Sequence, residues 1–284
     1  MKLLCPCLML FAATLLSAGQ ASATAADALA RGLVPHKAVY NIDLTATHSG
    51  SQILNISGKM AYEWKPSCEA WVTDHHFTLF YEYADSPGMR VTSDFTTYET
   101  FDGKSFNYSS RRQRNGQMYQ EIRGQAETGK EGAGKAVYTM PEGIRFDLAK
   151  GSLFPMGHTL EVINHAKAGD KFYSAQVFDG SDEEGPIEIN TFIGKPAKST
   201  IRKSGKIDAP LLNGKAWNMR MAIFQASSQE EESDYEMDMV FHENGIISDM
   251  TIEYDDFTVK QKLVSLEKLP APSCAAPVDA PKKP

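Results

Sequence analysis

The segment DYEMDMVFHENGIISDMTIEY, residues 234–254, limits what this chain can become more than any other stretch. Tyr235, Met237, Met239 and Phe241 fall on one side of an extended backbone, Asn244-Gly245 supplies a turn, and Met250, Ile252 and Tyr254 carry the apolar face back. A period of two on both sides of a turn predicts an antiparallel hairpin with one face buried. The same texture recurs along the chain in HKAVYNIDL, SQILNISGKMAYEW, EAWVTDHHFTLFYEY and AWNMRMAIFQAS, with turn dipeptides at Asp102-Gly103, Asn115-Gly116 and Asn213-Gly214. The count comes to about a dozen strands.

One segment breaks the alternation. SLFPMGHTLEVINHAKAGD places Leu160 and Ile163 at helical spacing, Pro155 near the start and Gly169 just past the end, which predicts a helix near 155–168 with those two residues on its buried stripe. The fold class is therefore all-β with one main helix. A sheet of about a dozen twisted strands does not stay flat, so it should curl into a barrel-like wall around that helix. No long Pro/Gly/Ser linker interrupts the chain, and residues 34–270 read as a single β domain.

The first 23 residues, MKLLCPCLMLFAATLLSAGQASA, read as a secretory signal peptide cleaved after Ala21-Ser22-Ala23. Cys5 and Cys7 stand at the beginning of its apolar run, the wrong place for a lipid-modified cysteine, so the expected product is cleaved, soluble and not membrane-spanning. Export leaves two cysteines, Cys68 and Cys274, in an oxidising compartment. One intramolecular disulfide is the first reading and a free or intermolecular thiol the alternative. A bond closing so long a loop is worth at most ~5 kcal/mol and more commonly about 2–4 kcal/mol. It would also tether the Pro-rich tail of residues 271–284, which has too little apolar content to dock alone.

Charge excludes some partners. Cleavage removes only Lys2, leaving 28 basic against 36 acidic residues, a balance without the broad basic footprint that nucleic acid requires. The dense basic cluster, Arg111, Arg112 and Arg114, reads as the end of a strand beside the Asn115-Gly116 turn, with a specific anion site as the alternative.

Catalytic signatures are absent from the sequence: no Gly-x-Ser-x-Gly, no Ser-x-x-Lys, no His-Glu-x-x-His. His75 and His76 are adjacent on a strand and point to opposite faces, so they cannot share one metal ion without distortion. The acidic stretches DGSDEEG and QEEESD lack the register of a calcium loop and read as solvated loops. No cofactor and no metal site are expected. Met219, Met221, Met237 and Met239 form a pliable apolar face that reads as core and is also suited to irregular apolar ligands.

The signal peptide, the HKAVYNIDL opening strand, the Cys68 segment with Trp71, GSLFPMGHTLEVINHAKAGD and the terminal LPAPSC together resemble the EipB family of periplasmic cell-envelope integrity proteins. The resemblance covers essentially the whole mature chain. It implies a β-spiral, a disulfide at Cys68 and Cys274, and a non-catalytic role in maintaining the envelope of Gram-negative bacteria. The expected function is binding of a lipid-like molecule, a lipoprotein or another envelope protein. The alternative is a periplasmic hydrolase or redox-active protein whose site, built around His158 or His75 with a carboxylate, is assembled from distant residues.

Overall fold

A computed structural model describes residues 32–129, 132–199, 201, 206–225 and 232–274. The signal peptide and the end of the tail lie outside the described residues, as does the first half of QEEESD. Fourteen strands are present, two or so more than the alternation suggests. The first eight are β1 (His36–Thr47), β2 (Ile53–Pro66), β3 (Ala70–Tyr83), β4 (Met89–Thr100), β5 (Ser105–Arg114), β6 (Gln117–Thr128), β7 (Gly134–Met140) and β8 (Glu142–Leu148). Helix α1 (Pro155–Ala168) follows, then β9 (Phe172–Val177), β10 (Ile187–Ala197), β11 (Ala216–Gln225), β12 (Tyr235–His242), β13 (Ile247–Glu253) and β14 (Phe257–Lys268).

All fourteen belong to one antiparallel sheet ordered β8-β7-β6-β5-β4-β3-β2-β1-β14-β13-β12-β11-β10-β9. The chain runs as a meander from β1 out to the β8 edge, crosses by α1 to the β9 edge, and returns until β14 pairs with β1. Helix α1 spans only ~21 Å at 1.5 Å per residue, so the two edges must lie near each other and the sheet must curl. The edges approach without pairing. The wall is a rolled sheet, not a closed barrel.

Side chains and a loop close the remaining gap. Phe178, after β9, packs edge-on against Phe106 and Tyr108 of β5, with ring centroids 6.3 and 5.4 Å apart. The Tyr138 hydroxyl of β7 donates to the Asp182 carbonyl at 2.7 Å, and Arg112 of β5 donates to the Ser181 carbonyl at 2.8 Å. DGSDEEG is thus a strap across the seam, which corrects its reading as a solvated loop. Gly180 makes the crossing feasible: its φ is +65°, and a β-carbon there would fall inside the Tyr108 ring.

The helix ends as its sequence dictates. Pro155 opens it, and Gly169 closes it in the left-handed conformation with φ 92°. Leu160 and Ile163 are buried, together with Met156, His158, Val162 and Ala166. Phe154 offers no side-chain cap, and the first free N–H groups are met from across the fold. Met156 N and Gly157 N each donate to the Glu99 carboxylate of β4 at 2.7 Å, placing an acidic group at the positive end of the helix.

Turn chemistry is mostly local. Asn115 and Gly116 have φ of 51° and 82°, the paired left-handed geometry of a two-residue hairpin turn. Asn213-Gly214 is different: it follows a short 3-10 turn at Ala209–Leu212 and leads into β11, so it joins no hairpin. Among the described residues no helix is long and apolar enough to cross a membrane.

Candidate functional site

The rolled sheet and α1 enclose a cavity of about 390 Å³. Period-two alternation brings its lining inward: Ile187 and Ile189 from β10, Met237, Met239 and Phe241 from β12, Met250 and Ile252 from β13. Met60, Met156 and Met221 complete a set of six methionines. The Met face read from the sequence is therefore divided. Met221, Met237 and Met239 reach the cavity, whereas Met219 is buried in the surrounding core.

Polar groups in this wall are few. Tyr40 donates its hydroxyl to the Ile247 carbonyl at 2.7 Å, and His36 Nδ1 meets the Val34 carbonyl at 2.8 Å. His36 Nε2, His158 Nε2 and Gln261 Oε1 have no protein partner among the described residues. Desolvation in the cavity lowers the pKa of His36, His75 and His158 to about 4 each; the Val34 carbonyl and the Asp74 charge only partly oppose it at the first two. All three imidazoles are neutral at pH 7. Burial pushes the Asp179 carboxyl upward, with the Ser181 N–H and the Arg112 charge opposing, and drives Glu99 to about 7 against its two backbone donors.

The residues singled out from sequence fall in different places. His75 lines the cavity, while His76 projects from the other face to pair with Asp94, as strand geometry requires. Cys68, in the β2–β3 turn, is joined to Cys274 by a disulfide with Cα atoms 5.6 Å apart across a separation of 206 residues. Neither belongs to the cavity. The arginine cluster splits: Arg111 pairs with Glu121 at 3.1 Å, Arg112 reaches inward to the strap and Arg114 lies over the Tyr119 ring at 4.9 Å. Among the described residues, none of the cavity histidines is hydrogen-bonded to a carboxylate.

Sequence reading missed His36, Glu99, Asp179 and Gln261. For Glu99 a signal exists: it shares its phase along β4 with the buried Ser93 and Thr97. A charged residue on the inward phase of a strand must meet a partner, and here it meets the helix N-terminus.

Residues 27–270 match a protein family described as EipB-like. The chain belongs to the EipB-like family. A curated relative, the cell envelope integrity protein EipB of Brucella abortus (strain 2308), is 30% identical over 252 residues, covering 88% of this chain and 89% of that protein. A crystal structure from Brucella abortus, described as a beta-barrel-like protein of domain of unknown function DUF1849, superposes with a TM-score of 0.78 at 29% identity. That match covers 84% of this chain and 99% of the other. The family-level role is in cell-envelope integrity, and the rolled sheet agrees with the beta-barrel-like description of that crystal structure.

Proposed function

We propose that this EipB-like protein works in the periplasm as a non-enzymatic envelope protein that holds an apolar, lipid-like ligand inside its rolled sheet. The observation that carries the reading is the cavity itself. At about 390 Å³ it falls in the size range of small-molecule sites, and its lining is dominated by aliphatic side chains and six methionines. Unbranched thioethers adapt to irregular apolar shapes, which suits a flexible hydrocarbon chain better than a rigid substrate. Three neutral histidines without carboxylate partners lack the paired acid and base that proton transfer in catalysis uses. The export signal read from residues 1–23 supports the compartment.

Native mass spectrometry of protein purified gently from the periplasm tests the proposal. A bound species of lipid mass that is released by mild collisional activation is expected. A bare protein mass, together with failure to bind a fluorescent fatty-acid probe, would overturn it.

A further inference from the structure

The end of the roll remote from the disulfide gathers the turns between β1 and β2, β3 and β4, β5 and β6, and β13 and β14. Residues from all four frame a cleft of about 610 Å³, including Ser51, Tyr83, Arg114 and Asp256. A run of aromatic rings leads into it from beside the cavity. Tyr235 sits two residues from the cavity's Met237 on the same strand face. From there the centroids run Tyr235 to Tyr254 at 5.5 Å, Tyr254 to Phe257 at 4.8 Å, Phe257 to Tyr81 at 6.4 Å and Tyr81 to Tyr83 at 6.2 Å. Cavity and cleft also share one apolar cluster, in which Met60, Met237 and Met250 pack with Tyr81, Tyr83 and Tyr254.

Two cations line this cleft, Arg112 and Arg114, and among the described residues neither is ion-paired, although neighbouring Arg111 and Arg123 both hold Glu121. Gln120 and the Ser181 carbonyl fix the Arg112 guanidinium at 2.8 Å each, and the Tyr119 ring supports that of Arg114. The single carboxylate among the lining residues is Asp256. A tyrosine ring offers an apolar face beside a polar tip, which suits a boundary between oil and water, and an immobilised guanidinium suits carboxylate or phosphate oxygens.

We propose that this cleft is the head-group end of the binding site. The ligand is a single-chain amphiphile whose hydrocarbon tail runs along the aromatic rings into the methionine-lined cavity, while its anionic head, carboxylate or phosphate, rests on Arg112 and Arg114. This deepens the apolar-ligand reading above and rests on it.

Calorimetric titration of the folded protein with dodecyl phosphate and dodecyltrimethylammonium, each below its micellar concentration, tests it, with inorganic phosphate as a chain-free control. The phosphate amphiphile should bind at least about tenfold more tightly than the ammonium one, an advantage that shrinks in high salt. Each methylene added to the chain should tighten binding about fourfold. Arg112→Gln and Arg114→Gln should each remove much of the head-group preference, weakening the phosphate amphiphile and, by relieving like-charge repulsion, not weakening the ammonium one. The exposed Arg114 side chain lies over the exposed Tyr119 ring and has no hydrogen bond to the strap among the described residues, so R114Q keeps the test open should R112Q loosen the strap. If neither amphiphile binds, the apolar-ligand reading itself fails. Equal binding of both, unmoved by the arginine variants, overturns the anionic head group and leaves the cavity standing. Tighter binding of the ammonium head, or inorganic phosphate binding as well as the amphiphile, also overturns it.

Discussion

The two ends of the rolled sheet are built from the same strands and do opposite things with their aromatic residues. At one end Trp64 of β2 and Trp71 of β3 meet edge-to-face with centroids 5.1 Å apart. Phe101 continues the stack at 4.9 Å, and all three are at most 5% exposed. The helix N-terminus, held by Glu99, and the disulfide close over that end. At the other end the same β3 strand finishes on Tyr81 and Tyr83, half-buried beside a cleft. Tryptophan and phenylalanine stabilise by complete burial, whereas tyrosine leaves an apolar face lined yet open. Complete aromatic burial is thereby concentrated at one end and an open aromatic cleft at the other, with Trp64 also facing the cavity between them.

Mutations can break that division. The largest effect should come from Trp71→Ala, which removes a ring packed between Trp64 and Phe101 and should cost ~3–5 kcal/mol in chemical denaturation. A loss below ~1 kcal/mol would mean that the closed end is not the stability centre. Next comes C68S/C274S, expected to keep the sheet by circular dichroism while losing about 2–5 kcal/mol and protease lifetime. Titration of the denatured, unreduced protein should find no free thiol; two per chain would remove the disulfide from the account.

The closed end and the cavity should also respond to acid, through groups of opposite sign. His36, His75 and His158 have folded pKa values of about 4, below their ordinary 6.5, so the stability they confer is present above pH 6.5 and lost as the pH falls toward 4. Glu99, raised to about 7, works the other way: its contribution is complete below about pH 4.5 and lost as the pH rises through 7. Three histidines outweigh one carboxyl, so the melting temperature should drop between pH 7 and 4. Glu99→Gln should cost about 1–3 kcal/mol, because the amide offers one acceptor to two N–H donors, and should steepen that drop by removing the counterweight. A flatter profile in E99Q would show the sign to be wrong. The smallest effect belongs to the open end. Tyr83→Ala, which removes a half-buried ring, should cost about 1 kcal/mol, well below the Trp71 loss, while weakening amphiphile binding, and a stability loss as large as that of Trp71→Ala would erase the contrast between the ends.

Local features of the sequence were the readable ones. The 235–254 hairpin is visible because its faces alternate and a glycine turn separates them, and α1 because Pro155 and Gly169 bracket a change of period from two to 3.6. The alternation gives about a dozen strands where the described residues hold fourteen. What joins β1 to β14 cannot be read locally, since Tyr40 lies opposite Leu263 and nothing in either segment names the other. For the same reason the proposed site is only half legible in the sequence. Tyr254 reads as the end of an apolar strand face and Tyr81 as part of a separate strand, and only the roll places both against Phe257. The arginines read as the end of a strand beside a turn, with an anion site as the alternative, but their division among Glu121, the strap and Tyr119 depends on partners supplied by β6 and residues 179–185.

The pairing of the first strand with the last has a consequence in time. A chain is made from its N-terminus, so β1–β8 can complete their meander while β1 still presents an open row of N–H and C=O groups, the kind of edge that recruits other strands. That edge is covered only when residues 257–268 arrive, and the middle of the finished sheet is therefore the last part of it to be joined. Until then the half-made roll exposes both the future cavity wall and an unpaired strand, so maturation is the stage at which this protein most needs protection from its neighbours.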